Sequence, residues 1–237
     1  MPDSPANLDV DLDRERRCGF PEVIFGSGKS PQLIIEILQQ QQLAGQDGFV
    51  TRVETDADEL IQRTYPQAIS NPVARTVRVP CPGSREQIVS RESGSVEAAC
   101  KRGPVYVVTA GSSDRPVAEE ALETLRWMKV DCDLLADCGV AGPHRLQRHL
   151  ERLRSAVAIV CVAGMEAALP SVVGGHVACP VIGVPTSVGY GASLNGMTAL
   201  LSMLTCCSSN VVAVNVDAGF KGGYVAGLIA TQADRTC

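Results

Sequence analysis

Residues 167–216 contain no Asp, Glu, Lys or Arg. Few soluble folds can absorb fifty consecutive residues without a formal charge. Pro170, Pro180, Pro185 and several glycines interrupt the stretch, so it offers no run of about 20 apolar residues for an ordinary spanning helix. No membrane partner is expected. The stretch reads instead as strands buried on both faces, plus helices buried against other copies of the chain. Residues 1–100, by contrast, carry 25 of the 47 charged residues. A basic region from Arg75 to Arg102, with Pro80, Pro82, Gly83 and Gly94, reads as a linker. Two domains are expected: residues 1–100, a small α/β domain with linker, and residues 101–237, a larger domain.

In the second half, β-branched runs alternate with helical patterns. Val105–Thr109, Asp133–Asp137, Val157–Val162, Val181–Val184 and Val211–Val216 predict strands. Arg115–Lys129, His144–Arg154, Met165–Val177, Ala192–Leu204 and Gly222–Ile229 predict helices. Such alternation makes an α/β fold with a doubly wound parallel sheet, a Rossmann-type three-layer arrangement. Ligands of these sheets bind beyond the carboxyl ends of the strands. That places the site in the loops 109–114, 138–144, 163–166, 185–191 and 215–223. In the first half, a helix starting at Pro31 behind Ser30 runs to Gln42. Phe49–Val53 and Val73–Val79 predict strands, with a helix over Asp56–Arg63 between them.

Composition narrows the function. Of 237 residues, 45% are hydrophobic and 20% charged, enough for a core. Net charge is −5 and aromatics are 4%, which argues against a nucleic-acid partner needing basic stripes and stacking platforms. The ten cysteines include no CxxC pair, and the charged residues 1–17 contain no apolar signal segment. Cys161 and Cys179 lie in Val/Ala-rich runs and read as small buried hydrophobes. A reducing cytoplasm is therefore expected.

Several motifs sit where a ligand would bind. Gly111-Ser112-Ser113-Asp114 lies between a strand and a helix. Backbone N–H groups and hydroxyls there make an anion cradle, although Ser113 or Asp114 could simply cap the helix. His144 and Arg145 follow at the end of the next strand, as phosphate ligands or as an ordinary surface pair. Glu166 is the only acid between Arg154 and Asp217; burying it would cost several kcal/mol unless it were paired or protonated, which suggests a functional carboxyl. Cys206 and Cys207 follow the helix ending near Leu204. They could be inert core, a redox pair or a nucleophile. A helix carboxyl end raises a thiol pKa, so a nucleophile there needs a cation, and no Lys or Arg is close in sequence. Gly26-Ser27-Gly28-Lys29-Ser30 has part of a phosphate loop, but Val23 stands where the full motif has glycine. It reads as a capped turn or as a turn with an anion-facing lysine.

At this point the residues carry a resemblance. The second half resembles the phosphoribosylaminoimidazole (AIR) carboxylase family through Gly111-Ser112-Ser113-Asp114, His144-Arg145, the Ala163–Pro170 segment, Pro180–Pro185 and Leu200–Leu204. From about Asp13 to Ile229 the chain is more similar to the pyridinium-3,5-biscarboxylic acid mononucleotide synthase (LarB) family of nickel-pincer cofactor assembly. The carrying motifs are Gly19–Lys29, Thr109–Ala121, Gly164-Met165-Glu166, Pro185–Gly191 and Asn215-Val216-Asp217.

The resemblance implies that nicotinic acid adenine dinucleotide is carboxylated at ring carbon 5 by CO2. Its phosphoanhydride is then hydrolysed to release AMP, the first step towards the lactate racemase cofactor. It assigns the nucleophile to Cys207 and a catalytic carboxyl to Glu166. Substrate contacts fall to Gly111, Ser112, Ser113, Asp114, His144, Arg145, Gly164, Met165, Pro185, Thr186, Ser187 and Asp217. It further implies a homo-oligomer, an octamer. Cys206 beside Cys207, and Asn210 where glycine is common, depart from the family pattern. No metal-ligand cluster is visible and no cofactor is required, although Mg2+ would suit an anhydride. Asp217 and Asp114 are candidates to activate the hydrolytic water. The chemistry agrees with the residues. A pyridinium ring does not attack CO2, but thiolate addition at carbon 4 makes an enamine whose carbon 5 does, and a base then restores aromaticity. Two rivals are carboxylation or rearrangement of aminoimidazole ribonucleotide, and a non-catalytic nucleotide-binding scaffold.

Overall fold

The computed structural model describes residues 8–82 and 104–233. The chain divides into two compact units, with the break between these segments; the expected boundary at residue 100 lies outside the described residues.

In the first unit, helix α1 (Arg14–Cys18) precedes β1 (Ile24–Phe25), α2 (Pro31–Leu43), β2 (Gly48–Thr51), α3 (Thr55–Thr64), β3 (Ile69–Asn71) and β4 (Thr76–Val79). The sheet order is β1-β2-β4-β3; β1 pairs parallel to β2 and the other pairs are antiparallel. Helix α2 starts as its sequence dictates: the Ser30 side chain accepts from the Leu33 N–H at 3.3 Å, and Pro31 occupies the first turn. Its face of Ile34, Ile37 and Leu38 packs on Val50, Val77 and Val79 of the sheet and Ile61 of α3. The expected linker therefore begins too early. Val77 and Val79 alternate into this core, so Thr76–Val79 is strand. Helix α1 and strands β1 and β3 have no hydrophobic periodicity long enough to show in sequence.

The second unit contains β5 (Val105–Thr109), α4 (Arg115–Trp127), β6 (Cys132–Leu135), α5 (Pro143–Gln147), α6 (Leu150–Arg154), β7 (Ala158–Ala163), α7 (Leu169–Gly174), β8 (Val181–Pro185), α8 (Met197–Leu204), β9 (Val211–Ala213) and α9 (Gly219–Ala233). All five strands are parallel, in the order β6-β5-β7-β8-β9. This is the doubly wound α/β sheet read from the alternation. Side chains of β7 divide between its faces. Ile159, Cys161 and Ala163 meet Leu146, Leu153, Leu169, Val173, Ala199 and Met203 of α5–α8. On the other face Val160 packs against α9, where a Cβ on Gly222 would stand 3.2 Å from its Cγ1. Helix α4 joins α9 there at backbone contact: a Cβ on Gly223 would lie 2.5 Å from the Ala121 carbonyl oxygen.

Several expected elements differ: the last helix is longer than read, Gly219–Ala233, the strand read over Asp133–Asp137 is Cys132–Leu135, and the strand read from Val73 starts at Thr76. The helix read over Met165–Val177 starts only at Leu169, because Met165 and Ala167 have left-handed φ of 53° and 51°. The helix read over His144–Arg154 is two short ones, interrupted at Arg148 and His149. The one read from Ala192 begins as a 3-10 turn, Gly191–Gly196, with Leu194 and Asn195 left-handed. The last strand ends at Ala213 rather than Val216, because the chain must turn to place Asp217.

One buried acid fastens the carboxyl edge of this sheet. Asp114 is 3% exposed. Its Oδ1 accepts from Thr186 Oγ1 at 2.7 Å, and its Oδ2 accepts from the Gly111 N–H at 2.9 Å. Burial pushes its pKa up, against the lowering effect of these bonds and of the Gly164 backbone; the nearby Asp217 charge adds to the rise. The loops after β5 and β8 are thereby tied across the edge of β7.

Two outcomes are expected. Because the folded-state pKa of Asp114 lies above its unfolded value, the fold holds this proton more tightly than the unfolded chain. The free-energy cost is absent below the unfolded pKa and grows as pH rises through the folded one. Denaturant titrations of the natural chain and Asp114→Asn from about pH 4 to 7 should show the natural chain losing stability relative to the variant as pH rises; a constant difference would contradict this. Gly223→Ala should cost about 1–3 kcal/mol, because the added carbon meets α4 backbone rather than a movable side chain; an unchanged midpoint would contradict the close packing.

Candidate active site

The parallel order puts the loops after all five strands at one edge, and the strand order reverses between β6 and β7, on either side of β5. Such a reversal opens a crevice at the carboxyl ends. Gly111, Ser112, Ser113, Asp114, His144, Arg145, Gly164, Met165, Glu166, Pro185, Thr186, Ser187 and Asp217 all follow or end strands at this edge.

On the β5–β6 side, Ser112 and Ser113 form a 3-10 turn leading into the 13-residue α4. Both are exposed, so their hydroxyls face solvent at a helix amino end. The Gly111 N–H, expected at a phosphate, donates instead to Asp114. Asp114 makes no side-chain cap bond to α4; it fastens the turn through Gly111 and Thr186, and the two serines are exposed. Arg145 bonds Asp137 at 2.7 Å and donates to the Gly139 carbonyl at 3.4 Å. A phosphate would have to share or replace Asp137. His144 is exposed beside it.

On the β7–β9 side, Met165 and Ala167, both left-handed, flank Glu166. Left-handed backbone at such residues costs on the order of 1–3 kcal/mol each. It is held by Met165 N–H donating to Val188 O and Ala167 N–H to Gly164 O, both at 2.9 Å. Gly164 has no room for a side chain: a Cβ would lie 2.3 Å from Val188 O and 2.6 Å from Thr186 Oγ1. The result corrects one expectation. Glu166 is exposed, lifted out by the turn rather than buried by the apolar stretch around it; the buried carboxyl is Asp114. Asp217, at φ 55°, accepts from the Ser187 N–H at 2.8 Å while its own N–H donates to Pro185 O at 2.8 Å. It secures the loop after β8. Pro185 itself ends β8 and is buried.

Cys207 stands elsewhere. It is exposed, in the turn between α8 and β9. Val211 of β9 pairs with Val181, the first residue of β8. The Ser208 hydroxyl donates to Ser171 O, and the Asn210 side chain donates to the carbonyls of Gly174, Val177 and Cys179. This turn is at the amino edge of the sheet. Five strand residues, roughly 17 Å, separate it from the edge bearing Glu166, so one chain does not bring them together. Asn210, departing from the family's glycine, seals the α7–β8 connection with three bonds. Between the two edges runs an exposed apolar stripe, Leu194, Met197, Leu201 and Leu204, at helical spacing.

Among the described residues no group of three or more His, Cys, Asp or Glu stands ready to hold a metal. Asp114 and Asp217 accept hydrogen bonds within the loops. No helix among the described residues is long and apolar enough to cross a membrane. In the first unit, Lys29 donates to Phe25 O at 2.9 Å and Ser30 caps α2, which is the capped-turn reading. Tyr190, 80% exposed in the loop after β8, was not among the expected site residues. Its signal in sequence is that it is the only aromatic in residues 167–216.

Residues 104–236 match the AIR carboxylase family model, and residues 6–80 match the LarB/PurE-like N-terminal domain. An uncharacterized protein of Methanocaldococcus jannaschii is 39% identical over 225 residues, 94% of this chain and 84% of its own length. A probable N5-carboxyaminoimidazole ribonucleotide mutase of Methanothermobacter thermautotrophicus is 29% identical over 100 residues, covering 42% of this chain and 29% of its own. Among solved structures, Treponema denticola PurE is similar at a TM-score of 0.43 and 20% identity, over 56% of this chain and 80% of its own. The chain belongs to the AIR carboxylase family and carries at its amino end the LarB/PurE-like N-terminal domain.

Proposed function

We propose that the protein carboxylates ring carbon 5 of nicotinic acid adenine dinucleotide and hydrolyses the phosphoanhydride, giving pyridinium-3,5-biscarboxylic acid mononucleotide and AMP. Family membership supports carboxylase- or mutase-type chemistry. The observation that favours the dinucleotide is the polarity of the carboxyl edge. The β5–β6 side presents Ser112, Ser113, His144 and Arg145, groups suited to phosphate. The β7–β9 side presents Glu166 and Asp217, and no Lys or Arg occurs from residue 155 to 220. The sides adjoin at the paired strands β5 and β7, and Arg145, after β6, stands two strand spacings, about 10 Å, from the loop after β7. A ligand with a pyridinium nitrogen one ribose away from a pyrophosphate matches that axis. Aminoimidazole ribonucleotide, whose ring is neutral, is the second reading; the AIR carboxylase family model and the mutase relative are compatible with it without favouring it over the dinucleotide.

In the proposed reaction the Cys207 thiolate forms a C–S bond at carbon 4, and the electron pair moves to the ring nitrogen. Carbon 5 of the resulting enamine forms a C–C bond to CO2. Glu166 takes the carbon-5 proton, the C–S bond breaks, and thiolate leaves as aromaticity returns. No net oxidation occurs. Water then cleaves the anhydride and AMP leaves.

Since Glu166 and Cys207 lie at opposite edges of one sheet, we propose that the thiol comes from a second copy. The stripe of Leu194, Met197, Leu201 and Leu204 supports an obligate homo-oligomer, which the family reading puts at eight copies.

Cys207→Ala and Glu166→Gln should each lower turnover of the dinucleotide by a factor of about 10³ or more while leaving the fold intact. Co-expressed in one cell, the two inactive chains should regain a substantial part of the activity, because some mixed sites hold both natural residues. Inactive mixed oligomers would contradict the shared site. Near-normal carboxylation by Cys207→Ala would remove the nucleophile.

A further inference from the structure

We propose that Tyr190 is the specificity-determining residue for a cationic ring, and that with Glu166 it makes the protein select the oxidised pyridinium form of a dinucleotide over its neutral dihydropyridine form. The assignment rests on the dinucleotide reading above, and goes further by giving a role to a residue that reading does not use.

Tyr190 lies in the loop following β8, one residue beyond Gly189 and two beyond Val188. Val188 O accepts the Met165 N–H at 2.9 Å, and a Cβ on Gly189 would stand 3.5 Å from Met165 Sδ. Met165 immediately precedes Glu166, so the aromatic residue and the acid belong to two loops stitched together at this point. Tyr190 is 80% exposed. Solvating so large an apolar face is unfavourable, and here the protein specifies it with some care. Gly189 and Gly191, on either side, have φ of 152° and 56°, conformations that side-chain-bearing residues rarely adopt. Gly189 also has no space for a Cβ, which would meet Ser193 at 2.7 Å. The Tyr190 carbonyl accepts the Ser193 N–H at 3.1 Å, closing the turn beneath the ring. The backbone therefore holds an aromatic side chain out at the rim of the site.

Charge decides what that ring can recognise. Glu166 is an exposed carboxylate between two strained residues, Asp217 is close by in the loop after β9, and the next base along the chain is Lys221, in the first turn of α9. A flat neutral ring would gain only apolar contact from Tyr190. A flat cationic ring gains the attraction of the aromatic quadrupole as well, which grows as water is excluded, together with the field of Glu166. Reduction of the pyridinium to a dihydropyridine adds a hydride, removes the positive charge and leaves the rest of the molecule intact. The two forms are therefore a direct probe of charge recognition.

The test uses full-length protein with Cys207→Ala, so that binding is measured without adduct formation. Affinities for nicotinic acid adenine dinucleotide and for its dihydropyridine form are measured by calorimetry in this background, and again with Tyr190→Phe and Tyr190→Leu. The expected result is preference for the oxidised form, retained in Tyr190→Phe and reduced about tenfold in Tyr190→Leu. An unchanged ratio in Tyr190→Leu, or no preference in the parent, overturns the assignment. Loss of binding to both forms in the parent overturns it along with the dinucleotide reading. Turnover of the dinucleotide by the natural chain is assayed in parallel. Absence of carboxylation with the ratio behaving as expected would sink the reaction and leave the recognition standing.

Discussion

The carboxylate of Asp114 is the constraint on which the ligand-facing edge depends. A buried carboxylate is unfavourable unless it is hydrogen-bonded or protonated. Here Thr186 and Gly111 donate to it from loops on either side of β7. The same pair of bonds fixes the serine turn ahead of α4 and the start of the loop after β8. Thr186 in turn abuts Gly164, whose missing side chain lets the Met165–Ala167 turn close. Glu166 is therefore displayed by a chain of contacts that begins at a buried acid in the loop after the neighbouring strand. Local strain at Met165, Ala167 and Asp217 is held by the backbone bonds to Val188, Gly164 and Pro185.

That rigidity gives the edge a chemical direction. Its β5–β6 side carries hydroxyls, a helix amino end and an arginine; its β7–β9 side carries acids and an exposed tyrosine without a nearby arginine. A site polarised in this way discriminates by charge before it discriminates by shape. The position of Cys207 adds a second condition. Its turn is fastened to the amino edge by Ser208 and Asn210, too far for a local motion of the loop to carry the sulfur to Glu166. If both act on one ring, copies of the chain must meet there, and the uncharged stretch of residues 167–216 becomes the means of assembly rather than an oddity of composition.

Most of the fold was legible because parallel strands buried on both faces leave an unmistakable apolar pattern: Val105–Thr109 was delimited correctly and β7 and β8 within a residue. Helix boundaries were less legible. The alternation that suggested a helix from Met165 is broken by two left-handed residues that are neither Gly, Asn nor Asp, and no propensity announces such a turn. The loops proposed for the site are the ones that topology alone points to, because the observed parallel order does bring them to one edge. What failed was the inference of burial for Glu166, since apolar neighbours in sequence say nothing about which residue a strained turn lifts into solvent. Asp114 shows the converse: a residue in a polar Gly-Ser-Ser-Asp motif is the one that is buried. The separation of Cys207 from Glu166 follows from the parallel order itself, because each helix returns the chain to the amino edge before the next strand begins. Tyr190 lies within the Pro185–Gly191 motif but was given no role of its own, because exposure of a lone aromatic is a tertiary property.

The most direct measurement is incubation of the purified protein with nicotinic acid adenine dinucleotide and 13C-labelled bicarbonate, with aminoimidazole ribonucleotide in a parallel reaction, followed by mass spectrometry of the products. The account predicts AMP together with a pyridinium mononucleotide carrying one labelled carboxyl carbon, and no labelled product from the aminoimidazole. Labelled carboxyaminoimidazole ribonucleotide with the dinucleotide left intact would contradict it.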